Sequence, residues 1–482
     1  MSTAQGYVQE LNEYVKKERA AVKLNSKCGQ LLYDKGIELV LFRNHLIDTT
    51  ISEILNLHEY AGNVVKKPID IYTTSDMAEK ILGMDLAPSK IDIGKLASEW
   101  LSEKSKYASM EDFLGNKLGN MMDSGFDVEP RDVVLYGFGR IGRLAARELI
   151  KQAGKGQQLR LRGIVIRKVD ADQIVKRAAL LKNDSVHGTF NGTVIPDVEN
   201  EAIIINGQIV KLIGANNPED IDYTAYGINN ALIIDNTGVY TNREALGRHL
   251  QSKGASKVLL TAPGSGVPNI VYGINHKDLD IDGENIFSAA SCTTNAISPV
   301  LKVINDEYGV SKGHIETVHA YTNDQNLLDN MHKKPRRGRS AAINMVITST
   351  GAGKAVTKVI PSLEDKLTAN AVRVPTPNGS LAILSLALDK PTTVEEVNDK
   401  LRHAALNGEL VNQIYYALDP ELVSNDIIGN TCCSVFDSNA TIVSNDGKNV
   451  VLYAWYDNEF GYTKQVIRLA KYIAKVRRLI YY

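Results

Sequence analysis

The 482-residue sequence predicts an α/β protein: a parallel-sheet domain, a second mixed α+β domain, and a mainly helical N-terminal extension. Three observations carry this. From Arg131 onward, short β-rich runs at 133–136, 163–166, 231–234 and 257–260 alternate with helical stretches and end in turn signals, the pattern of a parallel sheet. After Cys292 the strands lengthen and alternate, at 315–321, 381–388 and 450–455, as in a mixed domain. In the first ~127 residues, apolar positions recur at three- and four-residue spacings. Examples are Ile37, Val40, Leu41 and Ile51 within 22–54, and a similar stretch lies at 97–118. The expected organisation is an extension over 1–127, a first domain over 128–291, and a second over 292–460. A C-terminal helix within 461–482 returns to complete the first domain.

Composition narrows the function classes. Lys+Arg 55 against Asp+Glu 56 leaves a formal charge of −1, without the basic excess of a nucleic-acid or anionic-membrane binder. Four cysteines are too few for a disulfide scaffold and fit a reducing compartment. No stretch approaches the ~20 apolar residues of a membrane span. The polar N-terminus lacks a signal-peptide core, so a cytoplasmic protein is expected. No metal-ligand cluster is apparent.

Gly137-Phe138-Gly139-Arg140-Ile141-Gly142 follows the apolar run 133–136 and opens a helix expected over 143–152. In such a G-x-G-x-x-G turn the first glycine permits the tight turn and the second lets a pyrophosphate approach the backbone. The third permits close helix–strand packing, and the helix N-terminus supplies N–H donors. With a strand before and a helix after, the turn points to a Rossmann-like dinucleotide site. The ribose reader is expected where the strand through 164–166 ends. Asp170 there favours NAD, whereas Arg167 and Lys168 accept the 2′-phosphate of NADP. A solvated turn is the alternative for all three.

Ser291-Cys292-Thr293-Thr294-Asn295 precedes a helical pattern. A cysteine at a helix start has its thiolate favoured by the helix dipole, and a nearby imidazolium lowers its pKa further. His319, on an expected strand, is the base candidate. The sequence separation does not establish the pairing. Thr348-Ser349-Thr350-Gly351-Ala352-Gly353-Lys354, Arg336-Arg337-Gly338-Arg339 and Arg373 are anion-binding candidates, which together suggest a phosphorylated substrate.

Taken in order, these segments resemble the glyceraldehyde-3-phosphate dehydrogenase family over about residues 131–482. The resemblance also includes Asp184-Ser185-Val186-His187-Gly188, His319-Ala320-Tyr321-Thr322, Arg373-Val374-Pro375 and Tyr456-Asp457-Asn458-Glu459-Phe460-Gly461-Tyr462. Longer bacterial-type members with an N-terminal extension are similar. The resemblance implies Cys292 as nucleophile and His319 as base. It places Thr322, Asp324 and Arg373 in the substrate-phosphate region. Ser291, Thr293, Thr350, Gly351 and Arg337 fall in the inorganic-phosphate region. Asn458 matches the holder of the nicotinamide carboxamide, and Thr237, Gly238 and Thr261 match turns lining the cofactor. It implies phosphorylating oxidation of glyceraldehyde 3-phosphate to 1,3-bisphosphoglycerate with NAD or NADP, in glycolysis or gluconeogenesis, by a homotetramer. Four positions depart from the family pattern: Ala296 for a second cysteine, Phe460 for a tryptophan, and Asn330-Met331 for Leu-Pro. The alternatives are an erythrose-4-phosphate dehydrogenase and a non-catalytic regulatory or nucleic-acid-binding protein on the same scaffold.

Overall fold

The apolar run 133–136 is the buried part of a strand, Arg131–Tyr136, in the middle of an eight-stranded sheet. The computed structural model describes residues 4–122, 129–151 and 154–482. Across this sheet the strand order is Ile286–Ser288, Ala255–Leu260, Ala231–Asp235, Arg131–Tyr136, Leu159–Ile166, Gln208–Gly214, Ala202–Ile205 and Val194–Asp197. The first six are parallel, and the last two join by antiparallel pairings. The chain builds outward from Arg131–Tyr136 on one side, then returns to lay Ala231–Asp235 on the other. Such a reversal opens a crevice at the carboxyl ends of the two central strands, where open α/β sheets bind ligands.

A second sheet takes Val346–Thr348, Leu367–Val374, Val310–Ala320, Ser380–Leu388, Asn449–Tyr456, Ser434–Asp437 and Ile414–Ala417 in that order. Val310–Ala320 runs parallel to Leu367–Val374 in a register that sets His319 beside Arg373. Helix Cys292–Tyr308 packs against this sheet, with Ile297, Val300, Leu301 and Ile304 buried.

Both sheets belong to one compact unit, 131–151 with 159–475. The other unit comprises 1–130, 152–158 and 476–482. It is mainly helical: Ala4–Lys35, Ile51–Val65, Ile71–Gly83, Ile93–Glu103 and Met110–Leu118. It also holds a four-stranded sheet that the periodicity did not predict, in the order Asn44–His45, Glu38–Leu41, Ser89–Asp92 and Leu479–Tyr481. Ile37, Val40 and Leu41 therefore lie at and in a strand rather than on a helix. Gly36, at φ +71°, stops the first helix, and Phe42 and Arg43, at φ +42° and +67°, make a two-residue hairpin. Asp92 holds that hairpin by accepting the Phe42 and Arg43 N–H groups at 2.8 and 3.0 Å. The helical pattern at 97–118 resolves into two helices.

The C-terminal segment also differs from the expectation. The helix is Phe460–Ile473. Lys475, at φ +57°, breaks it, and Leu479–Tyr481 then pairs in parallel with Ser89–Ile91. Residues 476–482 thus belong with the N-terminal unit, not with the first sheet. The expected boundary at 127/128 and the expected helix end at Gln152 lie outside the described residues. Among the described residues no helix is long and apolar enough to cross a membrane.

Candidate active site

The glycine turn sits at the crevice, and its three glycines meet different constraints. Gly137 adopts φ +92°, and its N–H donates to Val165 O at 3.0 Å. Gly139 precedes helix Arg140–Ile150, and a Cβ built there meets nothing within 4 Å. A Cβ on Gly142 would stand 2.5 Å from the Gly137 carbonyl oxygen. The turn is therefore closed by its first and third glycines and open beside its second, so it suits a pyrophosphate on the helix N-terminus. Gly142→Ala should push helix and turn apart, at about 1–3 kcal/mol for an overpacked site. Thermal unfolding together with dinucleotide titration checks this. An unchanged midpoint and unchanged binding would show that the contact relaxes freely.

Across the crevice, Asp235 ends its strand and holds the next turn. It accepts the Thr237 N–H at 2.8 Å and the Thr237 hydroxyl at 2.7 Å, and the buried His249 Nε2 lies 3.0 Å from its other oxygen. Gly238 follows at φ +67°, and Thr261 donates its hydroxyl to Asp235 O at 3.0 Å. Phe138 is buried and Ile141 half-buried. Arg140 does not present a free guanidinium. It pairs with Glu459 and, at 3.2 Å, with Asp184. His187 Nε2 joins Glu459 at 2.9 Å.

At the end of strand Leu159–Ile166 come Arg167 and Lys168, both exposed. Asp170 is occupied. It caps helix Ala171–Lys182 by accepting the Gln173 N–H at 2.8 Å, and it pairs with Lys168 at 2.8 Å. That cap and ion pair hold its carboxyl below the usual range.

Cys292 is the first residue of its helix, with Ser291 as N-cap accepting the Thr294 N–H at 3.0 Å. Just before it, Ala290 adopts φ +55°, a left-handed conformation that costs a non-glycine residue about 1–2 kcal/mol. Ser288 Oγ accepts the Ala290 N–H at 3.0 Å, and Tyr462 OH donates to the Ala290 carbonyl at 2.9 Å. This fixed elbow sets Cys292 Sγ 3.7 Å from His319 Nε2. On the far side of the ring, Nδ1 lies 2.7 Å from Ala320 O and 2.9 Å from Arg373 Nη1, which itself donates to Ala320 O at 2.8 Å.

The electrostatics of this pair differ from an imidazolium beside a thiolate. Burial, then the Arg373 charge, push the His319 imidazole down to about 3. Burial also pushes the Cys292 thiol up, with Arg373 as the main opposing influence. Both shifts favour a thiol beside a neutral imidazole over a thiolate beside an imidazolium.

The other candidate polar residues make contacts of their own. Arg337 pairs with Asp324 and donates to Thr348 Oγ1 at 3.1 Å. Burial, then the neighbouring Arg337 charge, push the Arg373 guanidinium below its ordinary pKa. Thr293 Oγ1 lies 3.1 Å from Tyr456 OH. Thr350 Oγ1 accepts the Ala352 N–H at 3.2 Å, Gly351 precedes helix Ala352–Val359, and Thr322 is half-buried. Asn458 Oδ1 accepts the Ser380 hydroxyl at 2.8 Å, while Ser380 Oγ accepts the Ala320 N–H at 3.1 Å. A chain of bonds therefore joins the strand end carrying His319 to Asn458.

The comparisons with known proteins agree with this arrangement. The chain matches the family model "Glyceraldehyde 3-phosphate dehydrogenase, NAD binding domain" over 131–243 and "Glyceraldehyde 3-phosphate dehydrogenase, C-terminal domain" over 291–458. It is 48% identical over 453 residues to a glyceraldehyde-3-phosphate dehydrogenase-like protein of Pseudomonas aeruginosa (strain UCBPP-PA14), covering 93% of this chain and 97% of that one. The chain belongs to the glyceraldehyde-3-phosphate dehydrogenase family. Shorter glyceraldehyde-3-phosphate dehydrogenases match as well. That of Clostridium pasteurianum is 40% identical over 72% of this chain and 99% of its own length. That of Priestia megaterium is 42% identical over 70% and 97%.

As a family member the chain is an oxidoreductase with an NAD-binding domain. Several residues around its site had no role in the sequence reading. Tyr456 lies inside a quoted motif, so its position was legible although its hydroxyl contact was not. Ser380, Asp235 and His249 carry no sequence signal, because strand pairing brings the first two to the site and His249 reaches Asp235 from the short helix Arg248–Gln251.

Proposed function

We propose that the protein oxidises glyceraldehyde 3-phosphate to 1,3-bisphosphoglycerate, through a thiohemiacetal and a thioester on Cys292, with inorganic phosphate as the second substrate. The observation that carries this reading is the Cys292–His319–Arg373 geometry. With Nδ1–H donating to Ala320 O, His319 turns a bare Nε2 towards Cys292 Sγ. It accepts the thiol proton as sulfur adds to the aldehyde carbon, and returns that proton to the new oxygen. It takes the proton again when the carbon loses hydride. The nicotinamide of a dinucleotide held by Gly137–Gly142, Thr237, Gly238, Thr261 and Asn458 supplies the hydride acceptor. Phosphate then attacks the thioester carbonyl, and Cys292 leaves with the proton held on His319. Arg373 and Arg337 are neighbouring cations. An anion between them relieves their repulsion, which supports a phosphate site completed by Ser291, Thr293, Thr322, Thr350 and Gly351.

Initial rates of dinucleotide reduction with and without inorganic phosphate test this. Turnover should depend on phosphate and yield an acyl phosphate. A phosphate-independent rate giving the free acid would overturn the phosphorylating reading in favour of a hydrolytic one, such as an erythrose-4-phosphate dehydrogenase.

We read the cofactor preference as dual. Arg167 and Lys168 suit a 2′-phosphate, whereas Asp170, the candidate for a ribose hydroxyl, is used as a helix cap. The kcat/KM values for NAD and NADP should lie within about 100-fold, under ~3 kcal/mol. Replacing both Arg167 and Lys168 by alanine should weaken NADP use at least about tenfold while sparing NAD. Equal losses with both cofactors would assign these side chains to the fold instead.

A homotetramer is supported by the exposed apolar side chains Leu327, Leu328, Met331, Ile343, Met345 and Ile347, with Met331 92% exposed. Four cysteines, none of them in a disulfide among the described residues, support a cytoplasmic location.

A further inference from the structure

Tyr136 and Asp235 stand opposite each other in register at the carboxyl ends of the two central parallel strands, and each leads into a turn of the crevice. The two turns touch. A Cβ on Gly137 would stand 2.9 Å from Thr237 Cγ2, so the glycine turn rests on the Thr237 methyl group. Thr237 takes its place from Asp235 Oδ1, which accepts both its N–H and its hydroxyl. Asp235 Oδ2 faces His249 Nε2 at 3.0 Å, and both residues are 0% exposed, so water does not stand in for either partner. The His249 ring stands edge-on to Tyr136, with centroids 4.6 Å apart, and to Tyr240, at 5.6 Å. Its Nδ1 is buried with no hydrogen-bond partner among the described residues, so the polar contact of the ring is directed at Asp235.

We propose that His249 is a positioning residue for dinucleotide binding. It fixes the Asp235 carboxyl group, Asp235 fixes Thr237, and the glycine turn rests on Thr237. With its proton on Nε2, the imidazole donates to Oδ2 and leaves Oδ1 to the two Thr237 bonds. Without that donor a buried oxygen has no partner, which is costly where water is excluded. The carboxyl group then turns towards its remaining donors, and Thr237 moves relative to Gly137. The ring is fully buried and acts through Asp235 rather than on the ligand. The inference rests on the reading that the Thr237-Gly238 turn lines the dinucleotide, and not on the chemistry proposed for Cys292.

Two amides of different reach test it in the full chain, by NAD titration without aldehyde. The side-chain N–H of His249→Gln reaches about as far as Nε2, whereas that of His249→Asn stops a bond short. Both lose the ring packing, so both should unfold at lower temperature. The Kd for NAD should rise at least tenfold in His249→Asn and stay within threefold in His249→Gln. Wild-type affinity in His249→Asn, or a tenfold loss in His249→Gln, would overturn the proposal, and the second result decides even if His249→Asn does not fold. Hydrogen exchange of the wild-type chain tests the underlying reading, since NAD should slow exchange in the peptide spanning 236–240. No slowing there would overturn that reading and the proposal with it. Slowing there with wild-type affinity in His249→Asn would overturn the positioning role alone.

Discussion

Replacing Cys292 by alanine should reduce aldehyde oxidation on the order of 10⁶-fold, the loss typical when a covalent nucleophile is removed. The sulfur is the atom that adds to the aldehyde carbon. Nothing else near His319 Nε2 substitutes for it, because Thr293 Oγ1 is turned to Tyr456 OH. Dinucleotide binding should persist, since the glycine turn belongs to a different sheet. The measurement is turnover by nicotinamide absorbance alongside cofactor titration of the same preparation. Substantial turnover with binding intact would exclude the covalent route.

Replacing His319 by asparagine should slow turnover by about two to four orders of magnitude, the usual reach of a general base. The pH behaviour follows from the direction of the shifts. The imidazole, held down to about 3, is charged only below that pH, so it is already neutral throughout a neutral assay. Asparagine therefore removes no positive charge from beside the sulfur. The thiol, raised by burial, ionises only above the ordinary thiol range, and its alkylation rate should climb with pH through that region. That profile should keep its midpoint in His319→Asn. It should move to higher pH in Arg373→Leu, because Arg373 is the cation that favours the thiolate. This replaces the expectation drawn from sequence, in which an imidazolium lowered the thiol pKa. An upward shift of the alkylation midpoint in His319→Asn would restore the ion pair.

The downward shift of the His319 imidazole has a physical cause that the sequence does not carry. His319 is buried and stands against Arg373 because two parallel strands place those residues in register. Both effects disfavour a second positive charge. Residues 319 and 373 are far apart in the chain, and only the sheet brings them within 2.9 Å.

By itself the sequence determined what is local. A run of buried aliphatic residues, a glycine turn and a helix start lie within ten or so residues of one another at Gly137–Gly142, so their backbone requirements are written in consecutive letters. The same holds for Ser291-Cys292, where the cap and the helix it opens are adjacent, and for the segment Tyr456–Tyr462. The tertiary structure decided what depends on distant partners. Ile37, Val40 and Leu41 match helical spacing, yet a left-handed Gly36 and a hairpin held by Asp92, about fifty residues on, place them at and in a strand paired on both sides. The last seven residues continue a helical pattern, yet Leu479–Tyr481 finds an open strand at Ser89–Ile91 and pairs there. Asp170 was a ribose-reader candidate on position alone, and the structure shows that it also caps its own helix by accepting the Gln173 N–H. In each case the side chains permitted more than one conformation. The choice fell to backbone hydrogen bonds and burial that exist only once the chain has closed on itself.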